Sequence, residues 1–258
     1  MSFPNYPEKY KGPSLLDPAE MVAHRRKLGR LPKIEPPEGV LLCLQRGLPK
    51  RLRWRIPIRH VGRLMGDLYL AKQTRGRVAV LTNFGIGAPL VVALAEELIA
   101  FGVKRLISMA WGGGLQPDLR PGDTVVCERA IRDEGASHHY LPPAKYVSAN
   151  ADLTARLIAA LKARGRQCEL GATWTTDAPY RETREEVQHY QAEGVKTVEM
   201  EIAALFALGQ VRGVETAAAV VVGDSLANLH WQAPTEVAVI ERALENVYAA
   251  CIEALSQT

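Results

Sequence analysis

A chain of 258 residues, 47% hydrophobic and 23% charged, has the composition of a soluble globular protein with a sizeable core, and its length fits one large α/β domain or two small ones. Its net charge of +4, from 32 basic and 28 acidic side chains, is too mild for a nucleic-acid surface, yet it leaves arginines for a small anionic ligand. The N-terminal "MSFPNYPEKYKGPSLLDPAE" has no signal-peptide core, and the longest apolar run, "AAAVVVG", is far too short for a membrane span, so the expectation is a cytoplasmic protein with no membrane partner.

Residues 1–38 are rich in proline and charge and read as an extension with one short helix. That helix is predicted at "DPAEMVAHRRK", where Asp17 is the N-cap, Pro18 occupies the first turn and basic residues suit the dipole of the last turn. From residue 39 to 258 strands and helices alternate. "GVLLCLQRG" and "RVAVLTNFG" read as buried strands, and "PLVVALAEELIAFG" as a helix. "KRLISMA" and "DTVVCERAI" are the next strands, and "ADLTARLIAALKARG" is an amphipathic helix ending at Gly165. Strand "QCELGATWTT" precedes "TREEVQHYQAEG", where Thr183-x-x-Glu186 is a capping box and Gly194 a stop. Strand "VKTVEM", helix "EIAALFALGQ", strand "ETAAAVVVGD" and a helix from about Thr235 to Leu255 complete the order. Continuous apolar strands between helices imply a single α/β domain, three-layer α/β/α, with a mostly parallel twisted central sheet. The four cysteines stand singly, three within or beside apolar patterns, and read as reduced packing residues.

The unusual residues cluster where strands end, which in such sheets is where ligands sit. In "LISMAWGGGLQPDLRPGD" a strand meets Trp111 and then Gly112, Gly113 and Gly114; such a run serves either close backbone approach or positive φ. In "TNFGIGAPL", Gly85 and Gly87 open a helix and either shape the turn or present amides to an anion. The segment lacks the third glycine of a dinucleotide fingerprint and the Gly-Lys-Ser/Thr of a P-loop. Gly47 and Pro49 shape a turn in "QRGLPKRL"; Arg51 after it, and Arg63 further on, are surface residues or anion ligands. Glu199, Met200 and Glu201 lie where a strand becomes a helix, so the carboxylates either complement the helix dipole or bind a ligand's hydroxyls. Asp224, after Gly223, is either a cap or a buried acid for a leaving group. There is no HExxH and no GxSxG, and the adjacent His138 and His139 are expected to point to opposite sides of a strand, so zinc and serine-nucleophile chemistry find no support.

In combination these segments resemble the nucleoside phosphorylase family, which includes uridine phosphorylase, hexameric purine nucleoside phosphorylase and related nucleosidases. The likeness covers roughly residues 39–256 and rests on "GLPKR", "GIGAP", "GGGLQPDLRPGD", "DEGASHHYLPP", "TTDAPYRET", "VEMEIAALF" and the "GD" at 223–224, in that order. "SHHYLPP" and "TTDAPYRET" are most similar to the uridine phosphorylase-type branch.

The resemblance implies cleavage of an N-glycosidic bond of uridine or a purine nucleoside by inorganic phosphate as co-substrate, with no metal or organic cofactor. It implies that Glu201 with Met200 holds the ribose hydroxyls, that Glu199 shapes that site, and that Asp224 is the acid toward a purine. Gly47, Arg51, Gly87 and Arg63 would bind phosphate, Arg63 from a neighbouring subunit of a homo-oligomer built from dimers, a hexamer in this family. Trp111, Gly112, Gly113, Pro179 and Tyr180 would border the nucleoside. Where phosphorolytic relatives carry an arginine and a threonine against phosphate, this chain has Ser108 and Trp111. Losing a buried arginine clamp weakens anion binding by roughly 2–5 kcal/mol. Two alternatives therefore stand beside phosphorolysis, a nucleosidase that uses water and a nucleoside-binding relative without turnover.

Overall fold

The structure, a computed structural model, describes residues 4–257. The strands are β1 (Gly39–Cys43), β2 (Ile58–Leu64), β3 (Gly66–Ala71), β4 (Val78–Thr82), β5 (Arg105–Gly114), β6 (Thr124–Asp133), β7 (Tyr146–Ser148), β8 (Glu169–Thr176), β9 (Thr197–Glu199) and β10 (Glu215–Ser225). The helices are α1 (Pro18–Lys27), α2 (Leu48–Arg51), α3 (Ala88–Phe101), α4 (Ala151–Ala163), α5 (Arg184–Ala192), α6 (Ile202–Arg212) and α7 (Val237–Ser256).

Local chemistry sets the helix starts. The Asp17 side chain accepts from the Ala19 N–H at 2.8 Å with Pro18 in the first turn of α1, and Thr183 and Glu186 close a reciprocal capping box on α5. The Asn150 side chain caps α4 by accepting from Leu153 N–H at 2.9 Å.

Strand order is β2-β3-β4-β1-β5-β9-β8-β6-β10, and β10 returns to pair with β5, so the strands from β5 to β10 close a ring. The run β4-β1-β5-β10 is parallel, as are β6-β8 and β8-β9. Antiparallel pairs occur at the β2–β3 edge hairpin, at β3–β4, at β6–β7 and where β9 and β6 close the ring. Alternation divides the strands between two helical layers. Leu41 of β1 and Ala217, Ala219 and Val221 of β10 pack with α4 and α7. Val40 and Leu42 face α3 and α6, while Ala218 and Val220 face α6. Each large apolar side chain buried there contributes about 1.5–3 kcal/mol.

Three local features depart from the sequence reading or go beyond it. The glycine run is not a loop, because β5 continues through Gly114 with none of its three glycines at positive φ. They are there for close approach. A Cβ on Gly112 would lie 2.5 Å from the Val198 carbonyl oxygen of β9, and one on Gly113 2.9 Å from a Val198 methyl. His138 and His139 sit on a single 3-10 turn, Ser137–His139, rather than along a strand, because "EGASHHY" turns tightly after β6. The β2–β3 hairpin was not anticipated, since its alternation is masked by Arg59, His60 and Arg63 on an exposed edge.

Candidate active site

The carboxyl ends of β5, β9 and β10 meet at one place. β5 and β10 run parallel to their ends, where a bulge at Gly223 lets Asp224 pair with Gly113. The indole of Trp111 lies against Gly223, whose added Cβ would be 2.9 Å from the ring. Glycine there admits the tryptophan. Trp111 keeps 45% of its surface exposed and forms one wall of a cavity of about 730 Å³. Gly112, Gly113, Pro179, Tyr180, Glu182, Glu199, Met200, Asp224 and Trp231 also line it.

This cavity has an aromatic rim and an acidic interior. Tyr180 is fully exposed and Trp231 is 63% exposed, so with Trp111 three aromatic faces are free to meet a planar group. The Trp231 Nε1–H donates to Asp224 Oδ2 at 2.6 Å, fixing the carboxylate at the end of β10. Glu182, half-buried just before the Thr183 cap, has its carboxyl pushed up to about 7, first by burial and then by the charges of Asp224 and Glu186.

The turn from β9 into α6 carries two buried carboxylates with different assignments. Glu199 accepts from Thr175 Oγ1–H at 2.5 Å and from the N–H groups of Glu201 and Ile202 at 2.7 and 2.8 Å. It satisfies the start of α6, so the helix-complementing reading holds for this residue. Its carboxyl is nevertheless pushed up to about 8, by burial first and by the neighbouring Glu201 second. Glu201 accepts from Gly87 N–H at 2.6 Å and Met200 N–H at 3.3 Å, which leaves lone pairs on both oxygens. Burial raises its pKa, and these two amides oppose the shift.

Trp111, Gly112, Gly113, Pro179, Tyr180, Glu199, Met200 and Asp224 are brought together as cavity lining. Glu201 is not among the lining residues but is joined to Met200 and to the glycine turn before α3. The phosphate candidates lie elsewhere. Gly87, at φ 103°, gives its amide to Glu201. Gly47, at φ 81°, precedes the four-residue α2, and Arg51 at its end is held by Glu241 at 2.7 Å and Glu245 at 3.5 Å on α7. Arg63 is exposed on β2, 3.4 Å from Asp67. None of these four lines the cavity. Ser108 is buried within β5.

Sequence reading missed Glu182 and Trp231. Both lie in unpatterned segments, between β8 and α5 and between β10 and α7. The available signal was a tryptophan in an otherwise polar stretch, "ANLHWQAP", and an acid directly before a capping box.

The sequence pattern of the phosphorylase superfamily matches residues 53–256. The chain is 28% identical over 193 residues to a uridine phosphorylase of Haemophilus influenzae, covering 69% of this chain and 75% of that protein. It is 29% identical over 173 residues to a guanosine phosphorylase of Halorubrum lacusprofundi, covering 67% and 72%. A DeoD-type purine nucleoside phosphorylase of Bacillus cereus is 29% identical over 154 residues, covering 59% and 66%.

Proposed function

The chain belongs to the phosphorylase superfamily, and from that premise we propose that it is a nucleoside phosphorylase, cleaving the N-glycosidic bond of a nucleoside with inorganic phosphate. The observation that carries this reading is the cavity itself, in which Asp224, fixed by the Trp231 indole, shares one chamber with the Glu199–Met200 turn and three exposed aromatic faces. The printed names of the relatives, acting on uridine, guanosine and purine nucleosides, support the same class.

In this reading the base stacks among Trp111, Tyr180 and Trp231, and Glu201 accepts from the ribose hydroxyls with its free lone pairs. As the C1′–N bond breaks, its electron pair leaves with the base and positive charge develops on the ribose ring. A carboxylate hydrogen-bonded to that ring favours this state over the ground state. Asp224 delivers a proton to the departing purine, and a phosphate oxygen forms the new bond to C1′, giving free base and sugar 1-phosphate. Arg51 swings from Glu241 and Glu245 to phosphate, and Arg63 comes from a neighbouring copy, so the reading includes a homo-oligomer built from dimers. No metal or organic cofactor enters.

A second reading, hydrolysis, is favoured by one observation, that neither Arg51 nor Arg63 lines the cavity. Arg51 is already paired, and Ser108 and Trp111 stand where arginine and threonine would meet phosphate. Incubating the protein with uridine, inosine, guanosine and adenosine, with and without phosphate, separates the two. Phosphorolysis requires base release to depend on phosphate and to yield sugar 1-phosphate. Release to free sugar in phosphate-free buffer establishes the hydrolase, and binding of nucleosides without any release establishes a non-catalytic relative.

A further inference from the structure

The mild net charge of the whole chain conceals a steep local one. Residues 46–77 carry ten lysines and arginines against the single acid Asp67, while the rest of the chain holds 22 basic and 27 acidic side chains. Five of the ten come together at the start of β2, and all five are exposed. Arg53 and Arg55 lie on the turn that leads into the strand, and Arg59 stands second in it, opposite Leu70. Lys72 is brought alongside as its N–H donates to the Pro57 carbonyl at 2.9 Å, and Arg75 follows on the same turn, its N–H 3.3 Å from the Lys72 carbonyl oxygen. Arg55 is paired with Glu245 at 3.3 Å, whereas among the described residues Arg53, Arg59, Lys72 and Arg75 form no ion pair. Trp54, between two of these arginines, keeps 83% of its surface exposed, and the Arg53 guanidinium lies 5.2 Å from the centre of its ring. Beside them opens a groove of about 590 Å³ lined by Arg55, Pro57, Gln73 and Arg164, in which Glu245 and Glu253 are both held by arginines. This surface lies at the end of the sheet opposite the cavity. β4 begins at Val78 beside the first residue of β1, and β2 runs the same way as β4 through the two antiparallel pairings of β3.

We propose that this edge is a docking surface for single-stranded nucleic acid, in which Arg53, Arg55, Arg59, Lys72 and Arg75 meet successive phosphates and a base stacks on Trp54. The inference does not depend on the chemistry of the cavity. Cations along an edge strand guard it against pairing with another strand, and that accounts for Arg59. It does not account for Arg53, Lys72 and Arg75, which lie outside β2, or for an exposed tryptophan, which invites association rather than preventing it. A row of unpaired cations binds a phosphate backbone by releasing its counterions, and an indole backed by a guanidinium offers a platform to any unstacked base. A duplex keeps its bases stacked inside, and the four-residue α2 is too short to read a major groove. A bilayer surface calls for several apolar side chains at the contact. Among the described residues, Trp54 is the only large apolar side chain exposed between residues 46 and 77.

Fluorescence anisotropy of a labelled oligouridylate of about 12 nucleotides, titrated with the full chain at several salt concentrations, tests the assignment. Binding is expected to weaken with salt along a log–log slope of about −3 to −4, from these cations at roughly −0.7 each. A duplex of matched length should bind at least about 10-fold more weakly. Arg53→Ala combined with Arg59→Ala should lower affinity by about 10-fold or more and make the slope shallower by about 1.4. Trp54→Ala should lower affinity roughly 5- to 50-fold with the slope unchanged, and Trp54→Phe should restore most of it. That split separates stacking from charge. The substituted side chains are all exposed, and far-UV circular dichroism with melting temperatures verifies that the variants fold. No binding at about 50 mM salt, or affinities indifferent to these substitutions, overturns the proposal. A loss confined to the arginine variant also overturns it, leaving a surface for anions in general. Anionic phospholipid vesicles bound as tightly as the oligonucleotide would assign the edge to a membrane. Altered sedimentation of the arginine variant, with no oligonucleotide binding by wild type, would assign it to a second copy of this chain.

Discussion

The two halves of the candidate site are built on opposite plans. The cavity half, at the ends of β5, β9 and β10, is open, aromatic and acidic, with Asp224 already oriented and Glu182 without a hydrogen-bond or ion-pair partner among the described residues. The half that the resemblance assigns to phosphate is closed on itself. Arg51 is paired with Glu241 and Glu245, Arg63 lies near Asp67, and the Gly87 amide is given to Glu201. One region therefore waits for a ligand, while the other must exchange internal partners to receive one. An anion entering the second region competes with carboxylates already present, so its affinity is set by those pairs as much as by the arginine.

The largest effect should come from the open half. Asp224→Asn keeps an oxygen for the Trp231 indole but removes the transferable proton, and kcat on a purine nucleoside is expected to fall by about 10²- to 10⁴-fold. KM should change little, and a kcat within a few-fold of wild type would remove Asp224 from the chemistry. Next in size is Glu201→Gln, which retains an acceptor for one amide but loses the negative charge that the proposed function sets against the ribose. A fall of about 10²- to 10³-fold in kcat is expected in steady-state assays, and a pure rise in KM would reduce Glu201 to a binding role.

The closed half is tested by opening it. Removing both Glu241 and Glu245 frees Arg51 from exposed or half-exposed pairs each worth about 0.2–1 kcal/mol. The KM for phosphate should drop by roughly 3- to 10-fold with the KM for nucleoside unchanged. An unchanged phosphate KM would mean that Arg51 never leaves α7 for the substrate.

The smallest effect concerns stability. Glu199 has its folded-state carboxyl raised to about 8, above its value in the unfolded chain, so its contribution is complete below roughly pH 4.3 and is lost as pH climbs through about 8. Glu199→Gln preserves an acceptor for the α6 amides and removes that dependence. Between pH 6 and pH 9 the melting temperature of wild type should fall more than that of the variant, by a difference on the order of 2–8 °C. Parallel curves would place the destabilising charge elsewhere.

How far the sequence could be read follows the same division. Helix starts at Asp17 and Thr183 and the buried strands are determined by neighbours a few residues away, so spacing alone located them. The convergence of Trp111, Glu199 and Asp224 on one cavity was also legible, because the strand ends that carry them are set by the β-α alternation. What escaped depends on contacts distant in sequence. The glycines of β5 are fixed by the approach of Val198, and the state of Arg51 by Glu241, 190 residues away. Glu182 and Trp231 escaped for another reason, since segments without periodicity gave no sign of which way they face.

Phosphorus NMR on a mixture of the protein, guanosine and inorganic phosphate distinguishes phosphate from water as the nucleophile. Phosphorolysis gives a new sugar-phosphate resonance growing in proportion to the guanine released, at the expense of the phosphate signal. Guanine release with the phosphate signal unchanged would contradict it and make water the nucleophile.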